Sequence, residues 1–400
     1  MTPSLRVPWL WVALVPYLVA PGPAAAQETR AAAIAEAQAE KAQQLRPYEP
    51  GTAERIASGF KTRFFETPTG FYPWFSSVYS GGGFTLGAGY RQFYGDRTFW
   101  DARGLLSIKG YKLFEVMTSS LGLATGVDLH AVGGWRDATQ VAFYGVGSDT
   151  PLEGESNFRM KQSYVGAIVR ARGSGPVVAD LGIQYEDYGL EEGTGVSPSI
   201  EDVYTSDSAP GLGTSPHFLR LTMMGGIDWR SPAAGYARRG GLYAMTFDSY
   251  IDPDSTYSFD RLQAEVIQHI PILRENWVIS LRGVGRTTID DDDVVPYFLL
   301  PALGSGSTLR AYPSWRFRDR HSLLLQGEWR WIPNRLFLDM AIFYDAGKVM
   351  SRRADFNFEE LKQDVGIGVR FHSALATPLR IELARGSEGF NLVFSGAAAF

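Results

Sequence analysis

The sequence predicts an all-β fold, a transmembrane antiparallel β-barrel of about 16 strands with a short N-terminal helical extension. First, apolar and polar residues alternate with a period of two from residue 71 to residue 400, as expected where one strand face meets an apolar medium and the other meets water. Second, the links between alternating segments are short and long in turn, the asymmetry of outer-membrane barrels. Third, the chain has 44 glycines and 13% aromatic residues with mean hydropathy near neutral.

The N-terminus resembles a secretory signal. Residues 9–20, WLWVALVPYLVA, form an apolar core that leads to an A-x-A site at Ala24 and Ala26. The alternative is a transmembrane anchor, but this core is interrupted by Pro16 and is too short to span a bilayer. We therefore predict that residues 1–26 are a signal peptide and that the chain is exported.

The next segment predicts a helix followed by a linker. Residues 28–46 are rich in alanine and other good helix formers, and Pro47 is expected to end the helix. We predict a periplasmic helix and linker over residues 27–70 and the outer-membrane barrel over residues 71–400.

The strands are clearest near the C-terminal end. FNLVFSGAAAF places Phe390, Leu392, Phe394 and Phe400 on one face, and PLRIELA and DVGIGVRFH alternate in the same way. The predicted strands start near residues 71, 84, 98, 111, 123, 157, 177, 217, 240, 256, 277, 321, 335, 364, 378 and 390.

The links between these strands predict the orientation of the barrel. Short turns are expected at residues 93–96, 119–122, 173–176, 271–276, 331–334 and 373–378. Longer links are expected at residues 135–156, 190–215, 289–320 and 351–363. An even number of strands then places both ends of the barrel on the short-turn, periplasmic side.

The polar strand faces would line a lumen that contains charges of both signs, which can pair across strands. A mixed interior is less typical of a selective channel than a ring of one sign. The predicted lumenal charges are Arg220, Asp228, Arg261, Glu265, Arg282, Arg286, Glu328, Arg330, Asp339, Asp345, Arg370, Arg380 and Glu382.

Composition and spacing argue against several other functions. The net charge of −5 gives no basic field for nucleic acid, and the absence of cysteine excludes thiolate chemistry. The five histidines lie in separate segments without ligand spacing, and no G-x-S-x-G elbow is present. We predict no metal, no cofactor, no nucleic-acid partner and no enzymatic activity. The acidic run at residues 290–293 predicts a solvated loop, alone or bridged to lipopolysaccharide by cations.

Residues 307–321, STLRAYPSWRFRDRH, interrupt the alternating pattern with a run of arginines. Taken alone, this stretch is compatible with a nucleic-acid patch, a surface loop or a loop folded back into a polar interior. It lies in the predicted long link between the eleventh and twelfth strands.

From this stretch onward the chain resembles a known family. LGSGSTLRAYPSWRFRDRHSLLLQGEWRWIP, LFLDMAIFYDAGKV and DVGIGVRFHSALATPLRIELARG are similar to the C-terminal barrel of the bacterial surface-antigen superfamily. That superfamily includes the BamA and TamA assembly proteins and the translocators of two-partner secretion. The resemblance covers roughly residues 70–400, and it implies a barrel of the surface-antigen type.

The resemblance also implies a role for the arginine run. In the family the sixth extracellular loop folds into the barrel and carries an arginine in a V-R-G-[FY] motif, which LRAY matches with Arg310 and Tyr312. The family partners of this arginine match Glu328 and Asp345, which the alternation independently turns toward the lumen. A guanidinium between buried carboxylates makes strong directional hydrogen bonds. The resemblance thus implies an inward-loop lock, with Ala311 in place of the motif glycine.

The last strand resembles a further family feature. Leu392, Phe394 and Phe400 match the C-terminal signal by which the barrel-assembly machinery inserts outer-membrane barrels. The alternative is that these residues only form a membrane-facing strand.

The function that the resemblance implies is assistance to the insertion or translocation of protein or lipid clients, in the outer membrane of a Gram-negative-type bacterium, in contact with its lipid and lipopolysaccharide. Family assembly proteins carry periplasmic POTRA modules, for which residues 27–70 are too short, so we expect a periplasmic partner to supply client-binding modules. A weak seam between the first and last strands would admit a client laterally. The alternative function is a passive pore or a structural surface protein.

Overall fold

The computed structural model describes residues 33, 36, 69–74, 76–95, 98–231, 237–273, 275–289, 294–333, 338–371, 379–395 and 400. The predicted signal peptide and acidic run lie outside these residues. The predicted helix and linker do so as well, apart from Ala33 and Glu36, which are helical, and the stretch from Thr69. The chain divides into two compact units, Met1–Ala57 and Ser58–Phe400, and the second contains the strands described below.

The prediction of an antiparallel all-β fold is confirmed. Sixteen strands form one sheet in which each strand pairs with its neighbours in the chain, apart from a small two-stranded sheet, β12 and β13, inserted between β11 and β14. Each predicted strand start lies within four residues of the observed one. The strands are β1 (Gly70–Trp74), β2 (Thr85–Phe93), β3 (Thr98–Ser107), β4 (Lys112–Ala124), β5 (Val127–Phe143), β6 (Ser156–Arg172), β7 (Val177–Glu192), β8 (His217–Asp228), β9 (Gly240–Ile251), β10 (Phe259–Leu273), β11 (Trp277–Thr288), β12 (Ala302–Leu303), β13 (Phe317–Arg318), β14 (His321–Trp331), β15 (Leu338–Met350), β16 (Lys362–Phe371), β17 (Leu379–Gly386) and β18 (Gly389–Ser395).

The two faces of the sheet differ as the alternation predicts. In β18, Phe390, Leu392 and Phe394 point outward and are more than half exposed, whereas Val393 between them is buried. The inner face holds the polar residues, among them Glu328 and Arg330 of β14. The outer wall is therefore mainly apolar, as a bilayer requires, and the buried charges lie on the inner face.

Two connections differ from the prediction. The turn expected at residues 119–122 lies within β4, and the link expected from residue 135 begins only after Phe143, where β5 ends. A lumenal polar pair explains the first difference, since Ser119 Oγ and His130 Nδ1 hydrogen bond at 2.8 Å across β4 and β5. Residues 119–122 were predicted as a turn because they are small and polar, but this hydrogen bond lets them continue the strand.

The long loops pack together at one end of the sheet. Tyr297, in a 3-10 turn over Tyr297–Leu299, contacts the rings of Phe143 and Phe158 edge-on, with centroids 5.4 Å and 4.9 Å away. Ile200, in the short helix α1 (Ile200–Val203), and Phe298 are buried in the same cluster. We call this apolar cluster of loop and strand-end residues the cap. It lies at the long-loop end of the sheet.

In the part of the chain that the structure describes, no helix has the length and apolar character needed to cross a membrane.

The first and last strands form the edges of the sheet. Within the described residues, no strand pairing joins β1 to β18, whereas each other strand of the large sheet pairs on both sides. We call the gap between β1, with the residues that follow it, and β18 the seam. A cleft of about 720 Å³ lies there, and its lining includes Ser77, residues 79–84, residues 305–307 and the β18 residues from Asn391 to Ser395.

Candidate functional site

The arginine-rich segment lies inside the sheet. We call residues 289–320, between β11 and β14, the inward loop. Its two short strands pair Ala302 with Arg318 and Leu303 with Phe317, and this neck directs residues 304–316, the loop tip, into the lumen. Leu309 and Tyr312 are buried there in an apolar cluster with Phe343 of the wall. Of the three possibilities that the sequence left open, the loop folded into a polar interior is the one observed.

Arg310 is fully buried at the loop tip. Its Nε and Nη2 donate to the two oxygens of Asp345 at 2.6 Å and 2.7 Å, a bidentate pair. Nη1 donates to Glu328 Oε1 at 2.6 Å and to Glu382 Oε1 at 3.2 Å. The structure thus brings together the arginine and both acids singled out in the sequence, and adds a third carboxylate.

The carboxylates are shared with arginines of the barrel wall. Arg370 donates to Glu328 at 2.5 Å and 2.9 Å and to Glu382 at 2.8 Å, while Arg330 Nε donates to Glu328 Oε2 at 2.8 Å. Arg380 lies 3.1 Å from Glu382 and donates to the carbonyl of Gly306 in the loop tip at 2.6 Å. Buried charges are tolerated when they are paired and hydrogen bonded. Here the pairing connects the loop to β14–β17.

The environment of Arg310 keeps it charged. Burial by itself would lower the pKa of its guanidinium, but the charges of Glu328 and Asp345 outweigh this effect and raise the pKa above its ordinary value. The guanidinium carbon also lies 3.5 Å from the ring centroid of Phe343. A planar cation that is stacked on one face and hydrogen bonded along its edge has a fixed orientation.

The residues beside Arg310 fit closely against the wall. Ala311 donates its backbone N–H to Asp364 Oδ2 at 3.1 Å, and the Tyr312 hydroxyl lies 3.1 Å from the carbonyl of Gln363 and 3.0 Å from Ser387 Oγ. Ala311 is not among the residues with positive φ, so this position does not demand glycine. Its methyl group faces Gly386, and a Cβ added at Gly386 would lie only 3.1 Å from the Ala311 Cβ.

Several residues of the site were not assigned to it from the sequence. Glu382 and Arg370 were expected in the lumen, but nothing in strand alternation shows that Glu382 reaches Arg310, or that Arg370 binds the same carboxylates. Asp364 and Phe343 follow the same inward pattern in β16 and β15. Asn391 donates to the carbonyl of Arg310 at 2.7 Å. These residues could have been assigned to the site because they point inward at a similar depth in the barrel. Depth can be compared between strands only when the strand register is known.

The C-terminal residue differs from the prediction. Leu392 and Phe394 face outward, but Phe400 does not share that face. Its ring centroid lies 5.2 Å from the guanidinium carbon of Arg330 and 6.4 Å from the ring of His269, and both of these residues point into the lumen. The period-two prediction fails at this position, because alternation holds only within the strand, and β18 ends at Ser395.

The arrangement favours binding over catalysis. Within the described ranges, no group of three or more His, Asp or Glu side chains could hold a metal ion. Four buried arginines share three buried carboxylates, and one of these arginines belongs to the loop tip. Such a site can hold a loop in one position, and it can release the loop if one of its charges is removed.

Known proteins share this architecture. A scan against models of protein families and a search of curated proteins give no match. Among solved structures, BamA from Haemophilus ducreyi, determined without POTRA domains 1–3, is 14% identical with a TM-score of 0.59; the match covers 82% of this chain and 71% of that one. CdiB from Escherichia coli is 12% identical with a TM-score of 0.52, covering 80% of this chain and 60% of that one.

At such low identities the likeness concerns the fold. It agrees with the sixteen-stranded antiparallel sheet described above. The chain therefore has the fold of a BamA-like outer-membrane β-barrel.

Proposed function

We propose that this barrel assists the insertion or translocation of client molecules at the outer membrane. The observation that carries the proposal is the seam. Within the described residues, β1 and β18 are the two edges of the sheet and have no partner strand beyond them. An unpaired strand edge presents a row of backbone donors and acceptors to any extended segment that approaches it.

The filled interior also supports this function. The loop tip occupies the lumen at the level of Arg310, and the cap covers the end with the long loops. A passive pore needs a continuous aqueous path along its axis, which these two layers obstruct. A client would instead enter from the periplasmic side and leave sideways through the seam.

In this mechanism the Arg310 site acts as a lock. Three carboxylates from β14, β15 and β17 hold one guanidinium, so the loop tip cannot move without breaking several buried ion pairs at once. Tyr312 anchors the same tip at Gln363 and Ser387. A periplasmic partner with client-binding modules and the lipids of the outer membrane complete the proposed system.

The test is the composition of the outer membrane in a strain that lacks the protein. We expect specific outer-membrane proteins or lipids to be depleted and to return when the wild-type gene is supplied. Arg310→Ala is expected to restore them only in part. Arg352 is exposed, so Arg352→Ala serves as the control and should restore these proteins or lipids fully.

Each result identifies a different function. Loss of particular proteins indicates a protein client, and altered lipid with unchanged proteins indicates a lipid client. Unchanged proteins and lipids together with reduced uptake of small solutes would contradict the proposal and favour a passive pore. No change in any of the three would favour a structural surface protein.

A further inference from the structure

The loop tip contacts both sides of the seam. On the β18 side, Asn391 donates to the Arg310 carbonyl at 2.7 Å, and Arg316 Nη2 lies 2.8 Å from Glu388 Oε1 in the β17–β18 turn. Gly306 faces Val393, whose Cβ would lie 3.7 Å from a Cβ built on the glycine. The β17–β18 hairpin therefore contacts the loop tip at three positions along its length.

On the other side, Trp315 reaches the segment that follows β1. Its Nε1 donates to the carbonyl of Ser80 at 2.9 Å, and its ring stacks on Tyr79 with centroids 4.8 Å apart. The neighbouring Ser314 faces Gly81, where a Cβ would lie 3.4 Å from the serine Cβ. These contacts come from the same short stretch of loop that holds β18.

Trp315 is held in an unusual backbone conformation. Its φ is 66°, in the left-handed region that bulky residues rarely adopt. Such a conformation persists only where surrounding contacts maintain it, and it is often found at sites that switch. The Arg318 guanidinium carbon lies 4.6 Å from the centroid of the Trp315 ring, and this contact holds the ring from the interior side.

We propose that the loop tip closes the seam in place of strand pairing, and that Trp315 is the contact whose release opens it. The β18 side is fixed by charged and amide contacts, whereas the contacts described on the opposite side are the stacked and hydrogen-bonded indole of Trp315 and the close approach of Ser314 to Gly81. The seam is therefore expected to open on the β1 side, while the loop stays attached to β18. This proposal concerns closure of the barrel itself, and it does not depend on whether the protein has a client.

The chain offers a direct test because it contains no cysteine. The Cβ separations at Gly81–Ser314 and Gly306–Val393 are close to the range of about 3.5–4.5 Å found in disulfides. We would replace each pair by cysteines, as G81C with S314C and as G306C with V393C, and refold the barrel in lipid vesicles. Gly81 has a φ of 90°, so G81C alone is measured beside its pair to separate backbone strain from cross-linking. We expect both pairs to cross-link under mild oxidation.

The decisive step adds Trp315→Ala to each pair. We expect cross-linking of the Gly81–Ser314 pair to slow several-fold and that of the Gly306–Val393 pair to remain unchanged. In planar bilayers, Trp315→Ala alone should spend several-fold more time in open states, and trapping the Gly81–Ser314 disulfide should return it to the closed state. Trp315→Phe retains the stack but loses the N–H donor, and its effect should be intermediate.

Trp329→Ala, on the outer wall, is the matched control and should change neither measurement. Heat-modifiable mobility on gels verifies that each variant is folded. The proposal fails if Trp315→Ala leaves the cross-linking rate of the Gly81–Ser314 pair unchanged, or if its open time equals that of the wild type. Neither measurement contains a client, so failure here would leave the proposed insertion role to its own test.

Discussion

At the scale of single residues, Arg310 joins the loop tip to three strands, because its guanidinium contacts Glu328, Asp345 and Glu382. The motif resemblance and strand alternation identified Arg310, Glu328 and Asp345, because each signal is local to a few residues. Glu382 joins from a strand far along the chain, at an Nη1–Oε1 distance of 3.2 Å. That contact depends on the register of four strands, which no local pattern contains. Ala311 likewise does not have a positive φ, and the missing side chain of Gly386 leaves room for its methyl group.

At this scale we predict that Arg310→Lys fails to replace arginine. Removing one partner of a buried ion pair typically costs about 3–5 kcal/mol, because the remaining charges lose their compensation. Lysine restores the charge but cannot bind Asp345 through two nitrogens or stack flat on Phe343. Urea unfolding followed by heat-modifiable mobility should therefore show both Arg310→Ala and Arg310→Lys destabilised by several kcal/mol.

The exposed pair Arg352–Asp355 provides the comparison, and Arg352→Ala should leave the midpoint unchanged. Equal stability of Arg310→Lys and wild type would mean that charge alone holds the loop, and that the planar geometry is unimportant.

At the scale of elements, the strands follow the sequence more closely than the segments between and after them. Period-two alternation locates β14 to β18 because one face must meet lipid along the whole strand. It misplaces the β4–β5 turn, where Ser119 and His130 satisfy each other. It also misplaces Phe400, which lies beyond β18 and turns toward Arg330.

This difference between Phe394 and Phe400 leads to a prediction about the C-terminal signal. A signal read in the unfolded chain should involve both rings, so Phe394→Ser and Phe400→Ser should both slow appearance of the folded barrel in the outer membrane. Only Phe394 faces outward in the folded barrel, and its loss should lower stability by about 2 kcal/mol.

Pulse-labelling followed by heat-modifiable mobility measures the first quantity, and urea unfolding measures the second. Leu379→Ser, on the outer face of the neighbouring strand, is the control for a lipid-facing change outside the signal. An assembly rate for Phe400→Ser equal to the wild type would remove Phe400 from the signal.

At the scale of the whole molecule, two layers of packed residues lie along the lumen. Rings such as Tyr297 form the cap at the long-loop end, and the loop tip packs at the level of Arg310. The count and order of strands were predictable because they follow from alternation and link length. The cap was not, because loop packing depends on contacts between segments as distant as Phe158 and Tyr297.

If both layers block ions, the conductance gained by removing each one alone should not add up to the conductance gained by removing both. We expect the wild-type barrel to be mostly closed in planar bilayers, Tyr297→Ala to remain nearly closed, and Arg310→Ala to open partly. The double variant should conduct several-fold more than the sum of the two. Phe358→Ala, exposed on the loop after β15, should behave as the wild type. Steady conductance of the wild type, equal to that of Arg310→Ala, would contradict both barriers.

The uneven height of the wall has a consequence for the surrounding lipid. β5 and β6 each contain 17 residues, whereas β1, β17 and β18 contain 5, 8 and 7. A tilted strand needs about 9–11 residues to match the hydrocarbon thickness. Over the described residues, the strands of the large sheet that fall below this length lie at its two edges. Where such short strands meet the bilayer, hydrophobic mismatch is expected to tilt or compress the neighbouring acyl chains.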